Sequence, residues 1–240
     1  MKLRGEKLSV SYDGQNIFED VTIEADEGDF ISVLGPSGCG KSTLLNVLSG
    51  LLPADGGRVY LDGSEVKGPS ADFSYMPQDD LLLPWLNILE NVCLYGRIHG
   101  IGDRMRQRAL EYMPLFGLCG YEYNYPSALS GGMRQRAAFL RTALCPAKVM
   151  LLDEPFASLD VITRSDMQDW LSNMRRTLGK TAVLVTHDID EAIYLSDRIL
   201  ILNGRPASVG KTFEIKEKNR SRSWLFAKSR LRQEIYEYLR

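Results

Sequence analysis

The chain has 240 residues, of which 44% are hydrophobic and 25% are charged, and this is enough to bury the core of one globular domain. Its formal net charge of -2 gives no support for a surface that binds nucleic acid. The four cysteines form no C-x-x-C pair, which argues against a zinc site or a disulfide framework and fits reduced thiols in the cytoplasm. The sequence has no signal-peptide pattern and no apolar run of membrane-spanning length, so we expect membrane association to depend on a partner.

Alternating apolar and polar residues in the first part of the chain predict short strands. Two of them are 8–12 and 21–24, and turns are expected at Asp13-Gly14 and at 27–29. The apolar run 30–34 follows as a further strand. An antiparallel sheet is therefore expected ahead of the loop that comes next.

That loop, 35–43, fits the phosphate-binding pattern G-x-x-x-x-G-K-[ST] between a strand and a helical run that begins at Lys41. Its glycines let backbone N–H groups turn toward phosphate oxygens, and the positive end of the helix adds to this field. Lys41 is expected to reach the β- and γ-phosphates, Ser42 to ligate Mg²⁺ and Thr43 to donate to the α-phosphate. A glycine-rich turn that binds nothing is the alternative, and the complete pattern disfavours it. The loop residues are Gly35, Pro36, Ser37, Gly38, Cys39, Gly40, Lys41, Ser42 and Thr43.

Cys39 lies in this ring of N–H dipoles, close to Lys41. We therefore expect its thiol pKa to be lowered and its alkylation to be faster than that of a model thiol, with protection by bound ATP. The alternative is that Cys39 is a small, inert filler of the loop.

Helical and strand patterns alternate after the loop. The first helix is expected to run from Lys41 to about Gly50, and 58–61 is predicted to be a strand. From 87 to about 145 the runs are helical with many long polar side chains, which predicts a helical subdomain inserted in the sheet. The apolar run 148–152 is then typical of a buried parallel strand.

The last part of the chain continues this alternation. A helix is predicted near 162–178, a buried strand at 181–186 and a final strand near 198–202. The final strand is expected to lead through Asn203-Gly204 into a hairpin. Residues 221–240 carry apolar side chains at mostly helical spacing and predict an amphipathic C-terminal helix.

Two carboxylates, Asp153 and Glu154, follow the apolar run 148–152 directly. At the carboxyl end of a strand beside the phosphate loop, Asp153 can hold Mg²⁺ through water and Glu154 can activate water as a general base. The alternative is a solvated acidic turn, which the upstream loop disfavours.

His187 and Gln78 also follow predicted strands. His187 comes directly after 181–186, and ligands of open α/β sheets collect at that edge, so His187 could contact the γ-phosphate. A histidine in this position is by itself more often structural. Gln78 could bond Mg²⁺ or the attacking water, although this signal is weak when taken alone.

The stretch 129–136, Leu-Ser-Gly-Gly-Met-Arg-Gln-Arg, stands just before a helical run. Ser130, Gly131 and Gly132 therefore offer a hydroxyl and backbone N–H groups at a helix N-terminus, which is a second anion site. One nucleotide does not need two such loops from the same chain. We infer that this loop serves a nucleotide bound by another copy, so that the chain dimerises through ATP.

These motifs together closely resemble the nucleotide-binding subunit of ATP-binding-cassette (ABC) transporters, whose Leu-Ser-Gly-Gly signature is matched by 129–132. The resemblance covers nearly the whole chain. It implies an α/β fold with a P-loop NTPase core, an N-terminal antiparallel β subdomain and an inserted α-helical subdomain, within one nucleotide-binding domain at 1–240. The implied cofactors are ATP and Mg²⁺.

The resemblance also implies roles for single residues. Tyr12 matches the aromatic residue that stacks on adenine, and Ser158, Leu159 and Asp160 match the D-loop. The family forms a head-to-tail dimer with two ATP molecules between one subunit's phosphate loop and the other's signature. The expected catalytic residues are Lys41, Gln78 (the Q-loop glutamine and a magnesium ligand), Glu154 (the general base) and His187 (the switch histidine), with Ser42 and Asp153 as further magnesium ligands.

Within the family, the segment 82–86 together with 90–92 and Met133 resembles importers for nitrate, sulfonates, taurine and thiamine precursors. This implies permease subunits as partners and, through them, a solute-binding protein. It also implies a peripheral location on the cytoplasmic face of the membrane, with no nucleic-acid partner.

Two alternatives belong to other functional classes. A soluble ABC-type ATPase acting on DNA would carry a long coiled coil between the nucleotide motifs, and the ribosomal type usually has two cassettes in one chain. The insert here is compact and one cassette is present. A P-loop kinase would leave the second glycine loop and His187 unexplained.

The apolar segment 81–85, Leu-Leu-Leu-Pro-Trp, joins the predicted sheet to the helical subdomain. Pro84 indicates an irregular segment, and exposed apolar grooves commonly mark protein partners. We expect part of this segment to line a groove for a short permease helix. The alternative is that these side chains are core.

Overall fold

In the computed structural model of the protein, the described residues are 3–157, 159–178, 180–217 and 219–240, without the side chains of 174–178. Ser158, one of the three D-loop matches, lies outside them. The strands are β1 (Leu3–Tyr12), β2 (Gln15–Ala25), β3 (Phe30–Leu34), β4 (Gly56–Leu61), β5 (Ser64–Glu65), β6 (Phe73–Met76), β7 (Val149–Asp153), β8 (Thr181–Thr186), β9 (Arg198–Gly204) and β10 (Ala207–Glu214).

The α-helices lie between these strands or follow the last of them, and short 3₁₀ turns at Met113–Phe116 and Pro126–Ala128 accompany them. They are α1 (Lys41–Leu48), α2 (Ile88–Val92), α3 (Leu94–Ile98), α4 (Gly102–Tyr112), α5 (Gly131–Leu144), α6 (Val161–Leu178), α7 (Ile189–Leu195), α8 (Arg222–Phe226) and α9 (Ser229–Leu239). No helix in the described part of the chain combines the length and the apolar character needed to cross a bilayer.

The described strands form one sheet in the order β5-β4-β1-β2-β10-β9-β3-β8-β7-β6. Strand β1 pairs antiparallel with β2 and β4, as predicted for the first part of the chain. Strands β6, β7, β8, β3 and β9 are parallel neighbours. The two parts are joined by β10, which pairs parallel with β2 at Ala207 and Phe18 and antiparallel with β9.

The central parallel strands are apolar throughout because both of their faces are covered. Alternate residues of β3 point to opposite sides. Phe30 and Leu34 belong to the core that α5, α6 and α7 share, whereas Ile31 and Val33 belong to the core on the other face, where α1 packs. The carboxyl ends of β3, β7 and β8 consequently meet at one edge of the sheet.

Helices α2 to α5 occupy the stretch between β6 and β7 where the helical insert was expected. Asn87 caps α2, because its side chain accepts from the Glu90 N–H while the Glu90 carboxylate accepts from the Asn87 N–H. Ser130 caps α5 by accepting from the Met133 N–H. Both helix starts are thus defined by local side-chain hydrogen bonds.

The C-terminal region differs from the single helix predicted at 221–240. It forms two helices, and the chain turns between them at 227–228. The Lys228 ammonium is held 2.7 Å from the Glu217 carboxylate and lies over the Trp224 ring. Leu225 in α8 and Ile235 in α9 both belong to the main core. The turn between the two helices lets both side chains reach it.

The hairpin between β9 and β10 also differs from the prediction. Asn203 and Gly204 are the last residues of β9, and the turn is formed by Arg205-Pro206. Asn203 pairs with Ser208 across the hairpin, and its side-chain amide donates to the carbonyl of Tyr238 in α9. The contact with α9 gives Asn203 a role inside the strand that an Asn-Gly pair alone does not indicate.

Candidate nucleotide site

The loop between β3 and α1 is shaped for close backbone approach. Gly38 and Gly40 have positive φ angles of 78° and 95°, and a Cβ on Gly35 would collide with the carbonyl oxygen of Leu202. The Lys41 ammonium donates to the carbonyls of Gly35 and Pro36, each at 2.9 Å. The side chain therefore folds over the loop, with its charge at the loop's centre.

Cys39 contradicts the expectation of a reactive thiol. It is buried, and a Cβ on Gly35 would lie 2.7 Å from its sulfur. Burial raises the pKa of the Cys39 thiol, and the Lys41 charge and backbone hydrogen bonds offset this only in part. The N–H dipoles and the lysine are visible in the sequence, whereas the desolvation of the thiol arises only from the folded loop.

Asp153 ends β7 beside this loop and is almost fully buried. The Tyr75 hydroxyl donates to its Oδ2 at 3.3 Å. Burial raises the pKa of Asp153, while the Ser42 and Tyr75 hydroxyls act in the opposite direction. Its Oδ1 is buried and accepts no hydrogen bond of ordinary geometry from the described residues.

This pair of oxygen ligands fits Mg²⁺. The Ser42 hydroxyl and the Asp153 carboxylate are hard donors, and the unpartnered Oδ1 is the atom that a cation would satisfy. Within the described ranges, no group of three or more His, Cys, Asp or Glu side chains could hold a metal. A magnesium ion here would thus depend on phosphate oxygens for further ligands, as is common for Mg²⁺.

Glu154 and His187 meet at the same edge. The Glu154 backbone has a positive φ of 46°, and its N–H donates to the carbonyl of Val185 in β8. Nδ1 of the exposed His187 lies 3.1 Å from Oε2 of Glu154. A neutral imidazole that donates from Nδ1 to Glu154 presents Nε2 as an acceptor, so the hydrogen bond to Glu154 also orients the ring.

Gln78 is exposed and stands two residues beyond the end of β6. Its carbonyl accepts from the buried side chain of Gln135, which also donates to the carbonyl of Pro155 at 3.2 Å. One amide thus ties the Gln78 backbone to the residue after Glu154. Sequence reasoning missed Gln135, although it shares a helix face with the buried Phe139 and Thr142.

A single cleft collects most of the predicted residues. The signature residues Ser130, Gly131 and Gly132 do not line it in the described part of the chain, and Ser130 is exposed. The second anion loop therefore does not share the cleft of its own chain. The cleft is lined by Tyr12, Ile17, Ser37, Gly38, Gly40, Lys41, Ser42, Thr43, Gln78 and Glu154.

The apolar segment after Gln78 is divided between core and surface. Leu82 and Leu86 are buried at 8% exposure, whereas Leu81 is 61% and Trp85 69% exposed. Leu81 has a positive φ of 43°, and its carbonyl accepts from the guanidinium of Arg141. Part of the segment is thus exposed, as the expected groove requires, and part of it belongs to the core, as the alternative held.

The fold and the phosphate loop together define a P-loop nucleotide-binding protein. It has a second glycine loop, whose Ser130 caps helix α5. Residues 18–157 match the family model described as ABC transporter. The chain belongs to the ABC transporter family. This confirms the family, the α/β cassette fold and the ATPase class that the sequence predicted, and it does not favour the alternative of a DNA or ribosome ATPase.

Individual relatives are also known. The chain is 41% identical to a taurine import ATP-binding protein of Pseudomonas aeruginosa over 219 residues, covering 89% of this chain and 83% of the relative. It is 40% identical to an aliphatic sulfonates import ATP-binding protein of Bacillus cereus over 201 residues, covering 83% and 79%. A dimeric ATP-binding cassette bound to ADP and Pi superposes with a TM-score of 0.78 at 28% identity, covering 90% of this chain and 99% of that one.

Proposed function

We propose that this chain is the ATP-hydrolysing subunit of an importer for a small solute such as taurine, a sulfonate, nitrate or a thiamine precursor. The observation that carries the proposal is the convergence of the phosphate loop, Glu154 and Gln78 in one cleft, with Asp153 and His187 at its edge. The two import relatives support the transport role and favour taurine and sulfonates within this list.

The loop residues bind and orient the triphosphate in this proposal. Backbone N–H groups of 35–43 and the Lys41 ammonium face the phosphates, and Tyr12 stacks on the adenine. Ser42 and Asp153 hold Mg²⁺, assisted by the Gln78 side chain. Bound Mg²⁺ neutralises negative charge on the phosphates.

Glu154 is the proposed general base. It accepts the proton of the water whose oxygen attacks the γ-phosphorus, and the bond from that phosphorus to the bridging oxygen breaks, which yields ADP and phosphate. His187, oriented through Nδ1 by Glu154, lies on the γ-phosphate side, and Gln78 helps to hold the water. The exposed, helix-capped signature loop completes the site of a second copy in a head-to-tail dimer.

The remaining parts of the proposal concern assembly. We treat 1–240 as one nucleotide-binding domain, because a single sheet includes all the strands from β1 to β10 and the C-terminal helices pack on its main core. Permease subunits would hold it at the cytoplasmic face of the membrane and connect it to a solute-binding protein. Nucleic acid is not a proposed partner, in line with the net charge of -2.

Two substitutions test the catalytic roles. Lys41→Ala should weaken ATP binding, whereas Glu154→Gln should keep binding and slow hydrolysis by about 10²- to 10⁴-fold. The Glu154→Gln protein should then accumulate as an ATP-bound dimer in gel filtration with Mg²⁺. Glu19→Gln, at an exposed position of β2, is the matched control. A strictly monomeric Glu154→Gln protein at high concentration with ATP would contradict the shared site.

The exposed part of the segment after Gln78 is the proposed permease contact. Trp85→Ala should abolish association with the permease and leave the melting temperature unchanged, because Trp85 is 69% exposed. Leu82→Ala should lower the melting temperature, because Leu82 is buried. Leu115→Ala, elsewhere in the helical insert, removes a leucine whose exposure of 63% is close to that of Trp85 and serves as the control. Unchanged association of the Trp85→Ala protein would refute this contact.

A further inference from the structure

A buried carboxyl group lies close to His187 but outside the cleft. Glu191, in the first turn of α7, is 4% exposed. Its Oε2 accepts from the Thr186 hydroxyl at 2.7 Å, and its Oε1 accepts from the Gln168 side-chain amide at 3.2 Å. Thr186 is the last residue of β8 and directly precedes His187. The hydrogen bond from its hydroxyl to Glu191 therefore fixes the residue before the histidine.

The residue on the other side of His187 is held by the same hydroxyl. The Asp188 N–H donates to Oγ1 of Thr186 at 3.0 Å. The Asp188 side chain accepts from the N–H groups of Asp190 and Glu191, which caps α7. Both neighbours of His187 are thus tied to one hydrogen-bonded unit with Glu191 at its centre, which restricts the backbone that carries the imidazole.

This unit continues to the C-terminal helix α8. Nη1 of Arg222 donates to Oε1 of Gln168 at 2.9 Å, and Nη2 lies 2.9 Å from the carboxylate of Asp169. The guanidinium also lies over the Tyr194 ring, 4.4 Å from its centroid. The oxygen of the Gln168 amide thus accepts from Arg222, and its nitrogen donates to Glu191. A rotated amide would set its oxygen against the Glu191 carboxylate, so Arg222 fixes the orientation that Glu191 needs.

The charged groups around Glu191 come from two elements. Burial raises the pKa of Glu191 to about 7, the Asp188 charge adds to this rise, and the Arg164 charge on α6 opposes it together with the Thr186 and Gln168 hydrogen bonds. Arg164 also lies 3.7 Å from Asp188 and donates to the carbonyl of Leu159. Arg164, which acts on the pKa of Glu191, therefore also contacts Leu159 of the D-loop match.

We propose that Glu191 is the positioning residue of His187, and that Arg222 on α8 holds Glu191 in place through Gln168. The C-terminal segment then contributes to hydrolysis although it does not line the cleft. The inference rests on the proposed role of His187 at the γ-phosphate.

The test uses the two histidines of the chain, His99 and His187, as nuclear magnetic resonance probes. Their imidazole Cε1–H signals are assigned with a His99→Gln variant. Glu191→Gln keeps the size of the side chain but cannot accept both hydrogen bonds. Arg222→Gln removes the charge and shortens the side chain that donates to Gln168. Each should shift the His187 signal, leave the His99 signal in place, and lower kcat about tenfold or more with KM for ATP unchanged, since small misplacements in an active site are costly.

Two further variants sharpen the test. Arg230→Gln removes the same charge from an exposed position of α9 and should leave the His187 signal and kcat as in the wild-type protein. Arg222→Lys keeps a donor and should recover part of kcat. If Glu191→Gln does not fold, Arg222→Gln decides, because Arg222 lies outside the main core.

An unchanged His187 signal and kcat in the Arg222→Gln protein would overturn the proposal, even if its melting temperature falls. Failure of the proposed function gives a different result. A His187→Ala protein that hydrolyses ATP normally would remove the role of His187, whereas the shifted signal would still demonstrate the connection through Glu191.

Discussion

Burial, rather than the nearest charge, controls the protonation of several side chains near the nucleotide site. It is the largest influence on the pKa values of Cys39, Asp153 and Glu191, and it raises all three. Each of these groups has a polar or charged neighbour that acts in the opposite direction without prevailing. The neutral forms are therefore favoured more than in water.

Cys39 should react slowly with alkylating agents. At pH 7.5, iodoacetamide should modify the exposed Cys119 first and Cys39 later than a model thiol, because the raised pKa leaves little thiolate and burial limits access. Mass spectrometry of digested samples at successive times measures the order. Faster labelling of Cys39 than of Cys119 would restore the original expectation of an activated thiol.

The stability of the protein should report on Glu191. Its pKa is about 7 in the folded chain against an ordinary value of 4.5, so the folded state binds the proton more tightly. Between these values the free energy of unfolding falls as pH rises, by on the order of 3 kcal/mol, and the loss is complete above pH 7. Glu191→Gln removes the titrating carboxyl group and with it this pH dependence of the free energy of unfolding.

Urea unfolding of both proteins at pH 5 and pH 8 measures the effect. The difference in the free energy of unfolding should move in favour of the Glu191→Gln protein as pH rises. A difference that is independent of pH would mean that Glu191 titrates as an ordinary carboxyl group.

At the scale of elements, helix α5 connects several parts of the proposed site. The signature residue Ser130 caps its N-terminus, and the side chain of its Gln135 donates to the backbone carbonyl of Gln78. Arg134 pairs with Asp80 at 3.0 Å, and Arg141 donates to the carbonyls of Asp80 and Leu81. The helix thus joins the signature loop to the segment that presents Trp85.

Arg141→Gln should loosen that segment. The variant loses two charge-assisted bonds to carbonyls, which predicts a loss of about 1 to 3 kcal/mol in the free energy of unfolding and faster amide exchange at 80–83. Arg104→Gln, at an exposed position of α4, is the control and should change neither. Unchanged amide exchange at 80–83 in the Arg141→Gln protein would show that the bonds from Arg141 do not restrain this segment.

Elements with strong local signals were predictable from the sequence. The strand at 30–34 and the helix beginning at Lys41 are found where glycine pattern and apolar run indicated them. The turn at 227–228 was not predictable, because the apolar side chains of 221–240 keep mostly helical spacing across it, and the contact of Lys228 with Glu217 that accompanies the turn forms only in the folded chain. The shifted hairpin turn likewise depends on the contact of Asn203 with α9.

For the molecule as a whole, the candidate site also combines residues that local sequence patterns predict with residues that only the packed fold brings together. The motif residues that line the cleft belong to local sequence patterns, so they could be predicted from the sequence. Gln135, Tyr75 and Glu191 support those residues from other elements, and nothing in their local sequence distinguishes them from ordinary helix or strand positions. Their contacts exist only once the sheet and its helices are packed.

The C-terminal helices belong to the main core, and one residue tests this. Ile235 is fully buried in α9, so Ile235→Ala should cost about 2 to 5 kcal/mol and lower the melting temperature. Tyr236→Ala, at the exposed neighbouring position, should stay within about 0.5 kcal/mol of the wild-type protein. Equal melting temperatures for the two variants would show that α9 is only loosely attached.

The location of the signature loop outside the cleft of its own chain has a kinetic consequence. If two chains must meet to complete each site, hydrolysis by the free subunit is second order in protein, and the rate per chain falls on dilution. Attachment of two copies to one membrane partner would replace this encounter by a fixed effective concentration, which for short tethers is of millimolar order. The partner would then raise turnover without contributing any side chain to the chemistry.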